Sequence, residues 1–184
     1  MTRVVDRGAI TAAYVGIGMA TVIAISFLLV IPIEPVYWLL AFPAGLLIGY
    51  YANQRSDRRA GPWSRIIVNA LFAGLVTAVS MALLLLLVKG IFFAFDDGYR
   101  DASAGGSLDC RPGAECVYAR YLDEGRGPEF EASGVTDVES FTAYYWNQQI
   151  QTSLTVAGIT LLGALLGGLA YGVLRPRPRT AAAT

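Results

Sequence analysis

Between Ile66 and Phe95 the chain reads IIVNALFAGLVTAVSMALLLLLVKGIFFAF, with Lys89 as its single charged residue. A helix needs roughly 20 apolar residues to cross the hydrocarbon core of a bilayer, and an uncharged run of that length is too long for an ordinary buried helix. Three further blocks share this character: Gly8 to Ile31, Val36 to Ala52 and Ile150 to Leu174. Of 184 residues, 55% are hydrophobic and 15% charged, where a soluble domain carries roughly 25% charged residues. The pattern predicts an all-α integral membrane protein, a four-helix transmembrane bundle with a loop-rich extracytoplasmic insertion between the third and fourth spans.

The charges set the orientation. Cytoplasmic loops collect Lys and Arg, and the arginines fall into three clusters: Arg3 and Arg7; Arg55, Arg58, Arg59 and Arg65; Arg175, Arg177 and Arg179. Only four crossings place all three clusters on one side, so the second block, though short and interrupted by Pro43, reads as a span and not as a re-entrant hairpin. Those nine arginines meet two acids, Asp6 and Asp57, for a balance of +7; the segment from Asp96 to Trp146 holds eleven acids against four arginines, for −7. The expected order is a cytoplasmic N-terminus (1–7), spans at 8–31 and 36–52, a basic inner loop (53–65), a third span (66–95), an acidic outer segment (96–146), a fourth span (147–174) and a basic, disordered cytoplasmic tail (175–184). The first span is too long for a signal-peptide core and is expected to serve as its own insertion signal. A multi-pass protein of the cell (inner) membrane, of bacterial type, with both termini cytoplasmic, is the expected setting.

Punctuation refines these limits. Pro32 and Pro35 stop the first helix and make a short outer turn; Gly61-Pro62-Trp63 reads as the start of the third. From Asp96 to Val135, seven glycines with Pro112 and Pro128 suggest loop-rich structure. Thr136-Asp137-Val138-Glu139 has the spacing of a capping box, from which one long helix is expected to run through Tyr144, Tyr145 and Trp146 into the fourth span.

Small residues recur at every fourth position on all four spans, with Gly16 on the first, Gly45 and Gly49 on the second, Gly74 on the third, and Gly163, Gly167, Gly168 and Gly172 on the fourth. That spacing returns to one helix face, where small side chains let two backbones approach closely inside lipid. Packing within the bundle is the expected use; the competing one is a docking face on the fourth span for a second copy or another subunit.

Cys110 and Cys116 lie in the segment placed outside, where a disulfide persists, and a structural staple is expected. Thiol exchange is the functional alternative, as in four-span quinone-linked disulfide oxidases, which the chain resembles in span count; their Cys-x-x-Cys pair is absent. Clustered carboxylates, Asp96, Asp97 and Asp101 and then Asp123, Glu124, Glu129 and Glu131, lack calcium-loop spacing and read as solvated surface. Gln148, Thr152 and Thr155 share a helix face near Lys89 and could line a shallow polar vestibule, with hydrogen bonding between helices as the plainer reading. The chain has no histidine, phosphate-binding loop or nucleophile elbow, so no catalytic residue, cofactor or metal site is expected. Two short-loop spans followed by a larger disulfide-bearing loop resemble the tetraspanin layout, but the Cys-Cys-Gly that opens that family's large loop is missing and no family is assigned.

The expected function is therefore that of a small non-enzymatic membrane protein, an accessory or assembly subunit acting through glycine-rich helix faces and its outer domain. An oligomeric channel or transporter, and an outward-facing thiol redox protein, are the alternatives. Expected partners are the lipid bilayer and either further copies or other membrane subunits, with no nucleic acid.

Overall fold

A computed structural model describes residues 4–29, 34–57, 62–95, 106 and 108–174. Every regular element among them is helical: α1 (Arg7–Leu29), α2 (Glu34–Arg55), α3 (Trp63–Phe95), α4 (Ala114–Tyr121), α5 (Gly127–Ala132) and α6 (Val138–Leu174). Three stretches, Arg7–Ser26, Trp63–Phe95 and Val138–Leu174, are long and apolar enough to cross a membrane. The basic tail, the turn at Pro32, and Arg58, Arg59, Asp96, Asp97 and Asp101 lie outside the described residues.

Helix ends follow local chemistry. The Asp6 carbonyl accepts from the amides of Ala9 (3.1 Å) and Ile10 (3.3 Å), and the Pro62 carbonyl accepts from those of Arg65 (3.0 Å) and Ile66 (3.4 Å). Proline suits such a start because it has no amide to leave unpaired. α2 runs unbroken through Pro43 for 22 residues, roughly 33 Å at 1.5 Å per residue, so it is a helix and not a hairpin. The cap of α6 sits one residue later than Thr136: the Asp137 carboxylate accepts from the Ser140 amide (2.8 Å), while the Ser140 hydroxyl oxygen accepts from the Asp137 and Thr136 amides (3.1 Å each). This is a reciprocal box built from Asp137 and Ser140, and it brings Phe141 into the core.

The chain forms two compact units, Met1–Leu84 with Leu154–Thr184, and Leu85–Ser153. In the first, Ala9 and Ala12 of α1, Ile48 and Ala52 of α2 and Ala73 of α3 form one buried cluster. Gly8 lies against Arg55 and Ser56, so the beginning of α1 meets the end of α2 and the two run antiparallel. α3 runs parallel to α1: Val4 and Asp6 bond to Arg65 and Asn69, and Gly16 faces Thr77 further along. On α6, Thr160 and Ala164 face Gly45 and Gly49 of α2 in the same chain direction, whereas Gly168 and Gly172 face Ala70 and Trp63 of α3 in the opposite one.

The buried polar donors of this unit find acceptors close at hand, while the Asn53 side-chain oxygen is buried without a hydrogen-bond partner among the described residues. The Thr77 and Thr160 hydroxyls donate to the carbonyls one turn back, at Ala73 (2.9 Å) and Val156 (2.8 Å). Asn53 donates to the Gly49 (3.1 Å) and Ile66 (3.0 Å) carbonyls, tying α2 to α3.

The second unit is more ordered than its glycines and prolines suggest, because Ala114–Ala132 is mostly helical. The glycines mark the joints: Gly113, Gly125 and Gly134 have φ of 112°, 82° and 72°, a region where a side chain is strained. Gly125 turns the chain between α4 and α5, and Pro128 sits in the first turn of α5.

Candidate functional site

The second unit has a core almost entirely of rings. Val117, Phe130, Val135, Phe141 and Tyr145 are buried together, with Phe93, Tyr118, Tyr121, Tyr144 and Trp146 packed around them. Phe130 stacks on Tyr118 (5.9 Å between centroids) and meets Phe141 edge to face (5.4 Å), arrangements that suit the quadrupoles of aromatic rings. At the edge of this core Cys110 and Cys116 form a disulfide with Cα atoms 5.2 Å apart. Cys116, in the first turn of α4, is fully buried.

A polar chain runs along the outside of the rings. Arg126 donates from Nε to Glu129 Oε2 and from Nη2 to Oε1, both at 2.9 Å, and its guanidinium lies 4.6 Å from the Tyr121 ring centroid and 5.8 Å from that of Phe130. Glu129 also accepts from the Tyr144 hydroxyl (2.5 Å), which in turn accepts from Gln148 Nε2 (2.7 Å). The chain pins α5 to the first turns of α6. The Arg126 bonds, and then that of Tyr144, hold the Glu129 carboxyl down at about 2, and the Glu129 bond raises the guanidinium in return. Burial raises the Tyr121 phenol. These groups brace one another.

Next to the chain is an open cleft of about 280 Å³ lined by Tyr118, Leu122, Phe130, Glu131, Val135 and Thr136. Its floor is apolar and aromatic. Among the described residues no group of three or more His, Cys, Asp or Glu side chains could hold a metal ion.

The other residues singled out in the sequence are spread along the helices. Gly45 and Gly49 lie on the Thr160 and Ala164 carbonyls, and Gly163 and Gly167 on those of Phe42 and Leu46; Gly16 meets Thr77, Gly74 meets Ala164, Gly168 meets Ala70 and Gly172 meets Trp63. The Gly163 and Gly167 face is thus covered by α2 of the same chain. The backbone of α2 fills the space the missing side chains leave. Of the expected vestibule, Gln148 turns to Tyr144, Thr152 and Lys89 are half-buried, and Thr155 is exposed. The bonds of Asn69 and Thr77 go to the start of α1 and to α3's own backbone. Sequence reasoning missed the Arg126–Glu129–Tyr144–Gln148 chain; its signal was Arg126 three residues before Glu129 and Tyr144 four before Gln148.

Comparison of the chain with protein families, with curated proteins and with solved structures finds no match.

Proposed function

We propose that the chain is a small non-enzymatic membrane protein that crosses the bilayer four times with both termini cytoplasmic, and that it serves as an accessory or assembly subunit presenting the unit Leu85–Ser153 to a partner on the outer side. Four crossings are supported by helix directions: α2 runs parallel to α6 with Gly45 and Gly49 in register with Thr160 and Ala164, so α2 lies at the depth of a helix long enough to span. The +7 and −7 charge balances then give the sides. Small-xxx-small contacts hold the helices to one another where hydrocarbon removes the hydrophobic drive. Partner contact is left to the outer domain and the lipid-facing surface.

The observation that carries the functional reading is the ring core with its braced rim. Folding a disulfide-closed domain with an internally paired Arg126–Glu129–Tyr144 chain orders surface, and among the described residues no cluster fit for a metal goes with it. Thiol exchange would have to begin by attack on Cys110, which is half-buried, because Cys116 is buried. The test is the mass of the protein drawn from its native membrane in mild detergent, with identification of whatever travels with it. A defined partner or oligomer is expected; a clean monomer at every detergent condition would sink the assembly reading. Topology is checked separately with a membrane-impermeant maleimide on intact cells, which should label Ser133→Cys and spare Gln54→Cys.

A further inference from the structure

The Arg126 site shows how this domain holds a cation. A carboxylate, Glu129, grips the guanidinium from one side while the rings of Tyr121 and Phe130 approach it within 4.6 and 5.8 Å, a combination of ion pairing and attraction to the ring faces. The cleft beside it is lined by residues of the same kinds, the carboxylate Glu131 with the rings Tyr118 and Phe130, and Leu122 and Val135 add apolar surface. Arg120 and Arg126 are drawn to Glu124 and Glu129. Glu131 has no hydrogen-bond or ion-pair partner for its carboxylate among the described residues. At about 280 Å³ the cleft is smaller than the roughly 300 to 1,000 Å³ of most small-molecule sites, a size that suits one long side chain.

We propose that this cleft receives an arginine side chain of the partner protein, its aliphatic stem on Leu122 and Val135, its guanidinium plane on Tyr118 and its donors on Glu131. The proposal rests on the assembly reading above and names the chemistry of the partner's contact. The −7 balance of the surrounding segment favours a basic partner and speeds its approach.

The experiment uses the full chain in lipid nanodiscs, with carbon-13 methyl labels on leucine and valine, titrated with N-acetyl-arginine amide and separately with its neutral isostere N-acetyl-citrulline amide. Saturable shifts of the Leu122 and Val135 methyls are expected with arginine, at least about five-fold weaker with citrulline and with Glu131→Gln, as fits a carboxylate-assisted cation–ring contact. Glu131→Gln should keep the near-ultraviolet dichroism of the ring core, so that lost binding is not lost folding. Equal shifts with the neutral probe, or undiminished binding in Glu131→Gln, would overturn the proposal. A partner that co-purifies undiminished with Glu131→Gln overturns it while sparing the assembly reading; arginine binding by a protein that travels alone supports the cleft chemistry and removes the assembly reading.

Discussion

Replacing Gly163 by alanine should loosen the protein, and the same change at Gly158, on the same helix, should not. A Cβ on Gly163 would stand 2.5 Å from the Phe42 carbonyl oxygen and 3.0 Å from the Leu46 amide nitrogen, both backbone atoms of α2, whereas a Cβ on Gly158 meets nothing within 4 Å. Backbone cannot swing aside, so α2 and α6 must part by roughly 0.5 to 1 Å before the methyl fits, and a gap of that width forfeits a quarter to a half of each contact's well depth. If the crossing holds about as many atom contacts as one buried leucine, on the order of 50 at ~0.15 kcal/mol each, the loss is ~2 to 4 kcal/mol. Overpacked cores lose a similar ~1 to 3 kcal/mol. Alanine at Gly158 instead gains helix preference, worth up to ~1 kcal/mol in water. Both variants would be measured by reversible unfolding in mixed micelles with increasing dodecyl sulfate, reading helical dichroism. Gly163→Ala is expected to unfold at clearly lower denaturant than wild type, and Gly158→Ala at the same or higher. Equal midpoints, or a Gly163→Ala protein as stable as Gly158→Ala, would refute the reasoning that α2 backbone sits on this glycine.

Three further outcomes follow from the second unit. Glu129 titrates from an ordinary 4.5 down to about 2 in the folded chain, so its contribution is full above pH ~4.5 and is lost as pH falls toward 2; because the pair is largely exposed this amounts to less than ~1 kcal/mol, and Glu129→Gln should flatten that part of the acid limb of the thermal midpoint. Gly125→Ala should cost ~1 to 2 kcal/mol through its left-handed backbone, while Gly127→Ala, in ordinary helical geometry with its nearest neighbour 4.0 Å from the added carbon, should be neutral by thermal melting of the near-ultraviolet signal; equal losses would discount the turn at Gly125. Removing the ring closed by Cys110 and Cys116 with a double serine variant should cost about 2 kcal/mol in the chain-entropy account, and the buried Cys116 sulfur should make the wild-type bridge resist dithiothreitol until the domain opens, as read by alkylation and mass.

The apolar blocks and the long last helix were legible because hydrocarbon imposes one rule, an uninterrupted helix with its backbone paired internally. The helices over Ala114–Ala132 were not. Their eight- and six-residue lengths are marginal by propensity alone, and they exist because Val117 and Phe130 reach a core whose other half, Phe141 and Tyr145, arrives from α6. The cap was misjudged by one residue for a related reason: Thr136 with Glu139 and Asp137 with Ser140 both have the spacing, and the burial of Phe141 selects between them. In the polar chain, the 126/129 and 144/148 pairs are local and readable, whereas the Glu129–Tyr144 bond that makes them one network depends on the fold.

The distribution of special contacts over the first unit has a physical logic that the small-residue spacing alone does not reveal. Antiparallel neighbours joined in sequence, such as α1 and α2, are tethered by a short connection and have opposed helix dipoles, and they pack through Ala9, Ala12 and Ala52 with Gly8 close on Arg55 and Ser56. The parallel pairs, α1 with α3 and α2 with α6, have aligned dipoles, and neither is joined by a short direct connection. Each carries something extra. Between α1 and α3 it is polar: Asn69 donates to the Asp6 carboxylate (2.7 Å) and accepts from its amide (3.2 Å), while Arg65 donates to the Val4 carbonyl (2.8 Å). Between α2 and α6 it is proximity: Gly45 and Gly49 face Thr160 and Ala164 while Gly163 and Gly167 receive Phe42 and Leu46, so four missing side chains let the two backbones approach closely. The polar clamp uses groups at the starts of α1 and α3, whereas the glycine crossing lies within α2 and α6, away from their starts. The glycines of α6 therefore serve two neighbours of the same chain, Gly163 and Gly167 the parallel α2 and Gly168 and Gly172 the antiparallel α3.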